Sequence, residues 1–226
     1  MAADLDANIW GVMAASGTGK GLWVKQQLRR LKPRRLVVWD FKREYSEHVS
    51  STVTTLRAVH AAMVKAGADG PLRIAYAPAG AGDKALRREF EGLCELVYAW
   101  EHCTFIAEEL SMVTTPGWAP GAWRKMTTSG RHQAVHLIGV AQMPALIDKT
   151  FLGNCTLIHV GPLHEEAHRD AVERSLDIVR GSLAGLVKFQ WVEKDRDTGE
   201  LRTGVIVPKG VKAPPVPELP KLRGRA

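Results

Sequence analysis

The chain has 226 residues, 45% of them hydrophobic and 24% charged, and a formal net charge of +7. This is enough apolar material for one large domain with its own core, and too ordinary a composition for a disordered, fibrous or disulfide-stapled chain. The basic excess fits a polyanionic partner or simply a soluble basic surface.

No apolar run approaches the ~20 residues of a bilayer span, so the chain is not expected to cross a membrane itself. The opening Met1–Asp6 stretch is acidic and lacks the basic and apolar regions of a signal peptide, which predicts a cytosolic location. Cys94, Cys103 and Cys155 are an odd number without metal-ligand spacing. Each lies in an apolar stretch and reads as a small buried hydrophobe.

Asn8 to Ala15 reads as a short buried strand, and Leu22, Trp23, Leu28 and Leu31 then recur at roughly helical spacing. Between them lies Ala14-Ala15-Ser16-Gly17-Thr18-Gly19-Lys20-Gly21. A strand, a loop of small residues and Gly-Lys at the mouth of a helix form a phosphate cradle. Backbone N–H groups turn inward, the helix N-terminus adds partial positive charge, and the lysine reaches the β- and γ-phosphates. The cradle runs from Ala15 through Ser16, Gly17, Thr18, Gly19, Lys20 and Gly21 to Leu22. Gly21 stands where a Ser or Thr would offer a hydroxyl to Mg²⁺.

Arg34 to Asp40 predicts a second strand with a carboxylate at its C-terminal end, followed by the charged loop Phe41–Tyr45. Asp40 fits two roles equally, one near a ligand and one as a cap for the turn that follows. Thr52–Thr55 is a short β-prone piece, Leu56–Ala66 a helix, Leu72–Ala77 a strand and Asp83–Trp100 a long amphipathic helix.

Cys103–Ala107 is an apolar strand ending in Glu108-Glu109. Beside a phosphate loop, such a pair has a mechanical reading: Glu108 holds a Mg²⁺-bound water and Glu109 polarises the attacking water as general base. After a Pro/Gly loop carrying Trp118 and a helix at Trp123–Ser129, the strand Val135–Ala141 ends in Gln142. A glutamine there can sense a γ-phosphate or position water. Asn154–Val160 is another strand, followed by a helix at His164–Leu176. His164 and His168 share one helical face with no third ligand in view, and read as solvated.

Leu186–Val192 alternates, Asp195–Glu200 turns and Leu201–Val207 returns, which predicts an antiparallel hairpin. The tail from Pro208 to Ala226 is Pro-rich and basic, and reads as an extended strap or docking arm, or as a disordered tail. Strands alternating with helices indicate a mainly parallel sheet flanked by helices. The domain is expected over 1–207, with core motifs in 8–162 and the helix and hairpin in 164–207; the tail is 208–226. The phosphate loop, Asp40, the acid pair and Gln142 all fall at C-terminal strand ends, which share one edge in such a sheet.

The ordered set AASGTGKG, VVWDFKREY, FIAEEL, GRHQAVHLIGVAQMP and NCTLIHVGP resembles the FtsK–HerA superfamily of DNA-pumping ATPases, over roughly Asn8 to Pro162. The small form without a membrane anchor is most like the genome-packaging ATPases of tailless, internal-membrane icosahedral viruses. The resemblance implies an α/β, RecA-like (ASCE) P-loop NTPase core, here with a C-terminal hairpin and Pro-rich tail. It implies ATP and Mg²⁺ as cofactors, Gly19 and Lys20 on phosphates, Glu108 on the metal, Glu109 as base and Gln142 as strand-end sensor. Arg131 would be an arginine finger acting on a neighbouring subunit's nucleotide, with Arg124 in reserve. The implied partners are double-stranded DNA, further copies in a ring (a hexamer in the family) and a capsid-vertex or membrane protein of a virion. The implied location is the host cytoplasm or the packaging vertex. Rival readings are a filamentous-phage assembly ATPase, a conjugation-type ATPase, or a non-catalytic nucleotide-binding assembly factor.

Overall fold

In a computed structural model of the chain, residues 8–79 and 82–224 are described. The acidic opening stretch through Asp6, Gly80 and Ala81 of the loop after Pro78, and Arg225 of the basic tail lie outside the described residues.

The strands are short, the inner ones are largely apolar, and all five residues of Arg35–Trp39 are buried. Burial on both faces is what a parallel sheet between two helical layers requires. The elements are β1 (Ile9–Met13), α1 (Lys20–Leu31), β2 (Arg35–Trp39), β3 (Ser51–Val53), α2 (Leu56–Ala66), β4 (Leu72–Tyr76) and α3 (Gly82–Trp100). They continue with β5 (Thr104–Ala107), α4 (Leu110–Val113), α5 (Gly121–Ser129), β6 (His136–Ala141), α6 (Lys149–Asn154), β7 (Leu157–Val160), α7 (Glu166–Leu176), β8 (Gln190–Asp195) and β9 (Leu201–Val205).

One nine-stranded sheet runs β3-β4-β2-β5-β6-β1-β7-β8-β9. Strands β1 to β7 pair in parallel, and β8 and β9 add on antiparallel beside β7. The fold is therefore α/β with a mostly parallel sheet, as expected, and the β-prone piece near Thr52 becomes its edge strand β3. No helix among the described residues is long and apolar enough to cross a membrane.

Each face of the sheet has its own core. On one, α3 buries Leu86, Phe90, Leu93, Cys94 and Val97 against Val37, Trp39, Phe105 and Leu137. On the other, Trp23, Val24 and Leu28 of α1 pack against Val12, Val38, Ile106 and Ile138. All three cysteines are free and buried. Thr55 caps α2 by accepting from the Ala58 N–H at 3.2 Å, and Asp148 caps α6 by accepting from Thr150 and Phe151.

Three local readings change. Helix α6 occupies a stretch the periodicity left unassigned. His168 is buried rather than solvated, with Nε2 3.6 Å from Glu165. The first hairpin strand starts at Gln190 rather than Leu186, for a reason given below. The tail is extended and pinned: Gln190 Nε2 donates to Pro215 O and Thr203 Oγ1 to Pro217 O, both at 2.8 Å, and the Val179 N–H donates to Lys221 O at 2.9 Å.

Candidate active site

The phosphate loop leaves β1 and is moored to the ends of both its neighbours, β6 and β7. The Ala14 N–H donates to Ala141 O at 3.2 Å and the Ala15 N–H to Pro162 O at 2.8 Å. Thr18 Oγ1 closes the loop on Ala15 O at 2.7 Å, leaving Ser16 and Gly17 exposed. Gly17 and Gly19 take φ of 71° and 123°, which only glycine adopts without strain. Helix α1 has no side-chain cap and no acid in its first turn, so its free N–H groups and dipole remain available to an anion.

A contact with no sequence signature braces this loop from outside. The Phe189 N–H donates to Thr18 O at 3.0 Å and the Ile206 N–H to Phe189 O at 2.9 Å. A Cβ on Gly19 would stand 3.4 Å from Ile206 Cγ2 and 3.5 Å from Phe189 Cδ1. Phe189 reaches this position with φ 74°, which breaks the strand geometry and delays β8 to Gln190. Next to the loop lies an open cleft of about 490 Å³ with Pro162, Leu163 and Leu186 as apolar wall and His164, Arg169 and Lys188 as polar wall. A cleft of that volume, part apolar and part cationic, suits a base and sugar attached to the phosphates.

At the end of β5 the two acids part company. Glu108 is 9% exposed and accepts a hydrogen bond from the Tyr45 hydroxyl, which is itself fully buried. Burial pushes the Glu108 carboxyl up to about 7, against the opposing pulls of Tyr45 and the Lys20 ammonium. Glu109 enters the left-handed region at φ 53°, turning its side chain away from its neighbour's as α4 begins. One of its oxygens accepts from both Lys42 Nζ, at 2.6 Å, and Gln142 Nε2. The strand-end glutamine and the second acid are thus in direct contact, across the β5–β6 pair.

The charged loop after β2 supplies the partners that sequence reasoning missed. Asp40 is buried, and its two carboxylate oxygens accept from the Glu44 and Tyr45 N–H groups at 2.8 and 3.0 Å. Of its two expected roles it fills the turn-capping one. The turn it makes aims Tyr45 at Glu108 and Lys42 at Glu109. The residues were visible in VVWDFKREY, but nothing in their spacing said which acid each would meet.

Gly21 leaves open space at the start of α1. A Cβ there would have only Glu44 Oε2 within 4 Å, at 3.9 Å. The protein donors suited to a hard divalent cation are therefore carboxylate oxygens, with Glu108 beside Lys20 and a space over Gly21 that a side chain would fill. Arg131 sits in the 3-10 turn Gly130–Gln133 and its side chain is outside the described residues. Arg124 is exposed on α5.

No protein-family model and no curated protein matches the sequence. Solved structures do match by shape. The genome packaging NTPase B204 from Sulfolobus turreted icosahedral virus 2, in complex with AMPPCP, aligns with a TM-score of 0.68 at 14% identity, over 89% of this chain and 100% of that one. The same protein with ATP-gammaS aligns at 0.70 with 14% identity, over 89% and 99%. VirB4 of Thermoanaerobacter pseudethanolicus aligns at 0.67 with 11% identity, over 89% of each chain. Likeness at such identities speaks to fold, and on fold it is plain: the chain has the mostly parallel α/β architecture of a P-loop NTPase core.

Proposed function

We propose that the chain is an ATPase that moves double-stranded DNA, working as a genome-packaging motor of a virus. The observation that carries the ATPase reading is the Glu109–Gln142 contact at the edge that also bears the phosphate loop. A proton-accepting acid, a polar sensor and a free helix N-terminus then lie along one edge of the sheet.

In this reading the N–H groups from Ala15 to Leu22 and the Lys20 ammonium bind the phosphates. Glu108 would hold magnesium, which when bound would supply charge stabilisation to the transferring phosphoryl group. The raised affinity of Glu108 for a proton fits that role, because a buried carboxylate near a dication has its charge matched only when the metal is present. Glu109 takes the proton of the attacking water, and Gln142 keeps that carboxylate in register with the phosphate edge. Arg131, or Arg124 in its place, reaches the nucleotide of the next copy in a ring, a hexamer by family resemblance. The +7 charge suits a sequence-independent grip on DNA phosphates. The docking partner is a capsid-vertex or membrane protein of the virion, reached from the host cytoplasm.

Steady-state ATP hydrolysis with and without linear double-stranded DNA tests this, alongside Lys20→Ala and Glu109→Gln. Turnover that DNA stimulates and both variants abolish is the expected result. A wild-type rate no higher than that of Glu109→Gln under every condition overturns the motor and leaves a nucleotide-binding assembly factor in its place.

A further inference from the structure

The loop lacks the hydroxyl that normally faces magnesium, yet the space over Gly21 is not bare. Its nearest neighbour is an oxygen of Glu44, 3.9 Å from where a Cβ would stand. Glu44 is placed there by its own N–H, which donates to the buried Asp40 carboxylate at 2.8 Å. The residue is exposed and enters none of the ion pairs formed among the described residues. It is also tied to the first acid through the chain: the next residue, Tyr45, donates its hydroxyl to Glu108. Two carboxylates from different segments, the end of β5 and the loop after β2, thus approach the start of α1, where Lys20 stands.

We infer that Glu44 is a second metal-facing carboxylate, supplying the oxygen that Gly21 cannot and sharing with Glu108 the magnesium that accompanies the nucleotide. This rests on the magnesium–ATP reading above and adds a residue to it. Magnesium favours hard oxygen donors and keeps its remaining positions for phosphate oxygens and water, so one or two carboxylates are the usual protein share. Replacing a neutral hydroxyl by an anion has a distinctive electrical consequence. Without metal, Glu44 repels the nucleotide's phosphates; with metal, it attracts the cation that bridges to them. A residue that merely shapes the loop would not act with opposite sign in the two conditions.

The test is binding, independent of turnover. Manganese, as a paramagnetic stand-in for magnesium, is titrated into protein saturated with ATPγS, and ATPγS affinity is measured with and without metal. Glu44→Ala should weaken manganese binding about tenfold, in the range seen when a metal site loses a supporting group. It should leave metal-free ATPγS affinity equal or higher. Adding Gly21→Ser to Glu44→Ala should restore much of the manganese affinity, since the serine hydroxyl then fills the vacant ligand position. Unchanged manganese affinity in Glu44→Ala overturns the assignment, as does failure of Gly21→Ser to rescue it while ATPγS still binds. If wild-type ATPγS binding is itself indifferent to metal, the magnesium reading falls and takes this one with it, a result distinct from loss at Glu44 alone.

Discussion

The Tyr45 hydroxyl donates to the Glu108 carboxyl in a region where both residues are buried. The bond lowers the proton affinity of Glu108, but burial outweighs it and the group titrates near 7 instead of the usual 4.5. The sign follows from proton counting. Between about 4.5 and 7 the folded chain holds a proton that the unfolded chain has released, so this group's contribution to stability falls as pH rises through that window. The full difference is about 3 kcal/mol at about 1.4 kcal/mol per pKa unit. Glu108→Gln should therefore be more stable than the wild type at pH 8 by up to that amount, and nearly equal to it at pH 4. Urea unfolding of both proteins at both pH values checks this. A constant offset would mean that Glu108 is not the titrating group.

Lys42 and Glu109 form a pair with one wet and one dry partner, at 46% and 9% side-chain exposure. A pair half open to water contributes only ~0–1 kcal/mol to stability. Its effect on chemistry should be larger, because an oxygen already engaged by an ammonium is a poor acceptor for water's proton. Lys42→Met should shift unfolding by less than about 1 kcal/mol and raise basal phosphate release severalfold at saturating ATP. Equal rates in the two proteins would assign Lys42 to loop structure alone.

Arg35 shows a different use of a cation. Its guanidinium donates to the carbonyls of Gly67, Ala68, Trp100 and Glu101 and stacks 3.5 Å from the Trp100 ring centroid. One side chain thereby ties the ends of α2 and α3 to the start of β2. Losing charged hydrogen bonds to part-buried carbonyls costs about 1.5–3 kcal/mol, so Arg35→Met should lower the urea midpoint. Arg35→Lys should recover little of it, because an ammonium cannot span both carbonyl pairs in the plane of a fork. Recovery by lysine would show that the charge matters and the geometry does not.

Gly139 tests how tightly the acid pair is seated. A Cβ there would come within 2.8 Å of Phe151 Cε2 and 2.9 Å of Leu110 Cδ1. Gly139→Ala should destabilise by about 1–3 kcal/mol through overpacking. Because Leu110 directly follows Glu109, turnover should fall even under conditions where the variant is fully folded by circular dichroism. Full activity in the folded variant would show that α4 shifts without moving Glu109.

Legibility in the sequence followed the range of the interaction that decides each feature. The phosphate loop, β5 with its two acids and β6 with its glutamine are local patterns, and the strand ends meet because parallel strands share an edge. What the pattern could not show is decided between distant segments. Arg34-Arg35 looks like one basic approach to a strand, yet Arg34 is exposed and Arg35 buried because four carbonyls from two helix ends converge on the latter. Leu186–Val192 alternates like a strand, but Phe189 is bent out of it to meet Thr18. The loop Phe41–Tyr45 reads only as charged, since the choice of Glu109 for Lys42 and Glu108 for Tyr45 depends on the Asp40 turn.

The brace on Thr18 also has a consequence for the order of events at the ribosome. Domains begin to organise from the end made first, and the phosphate loop emerges early. Its strand has no flanking partner until β6 and β7 have followed, and its outer support waits for Phe189 and Ile206. A nascent chain should therefore carry the loop's residues long before it can hold a nucleotide, and gain that ability only when the hairpin closes.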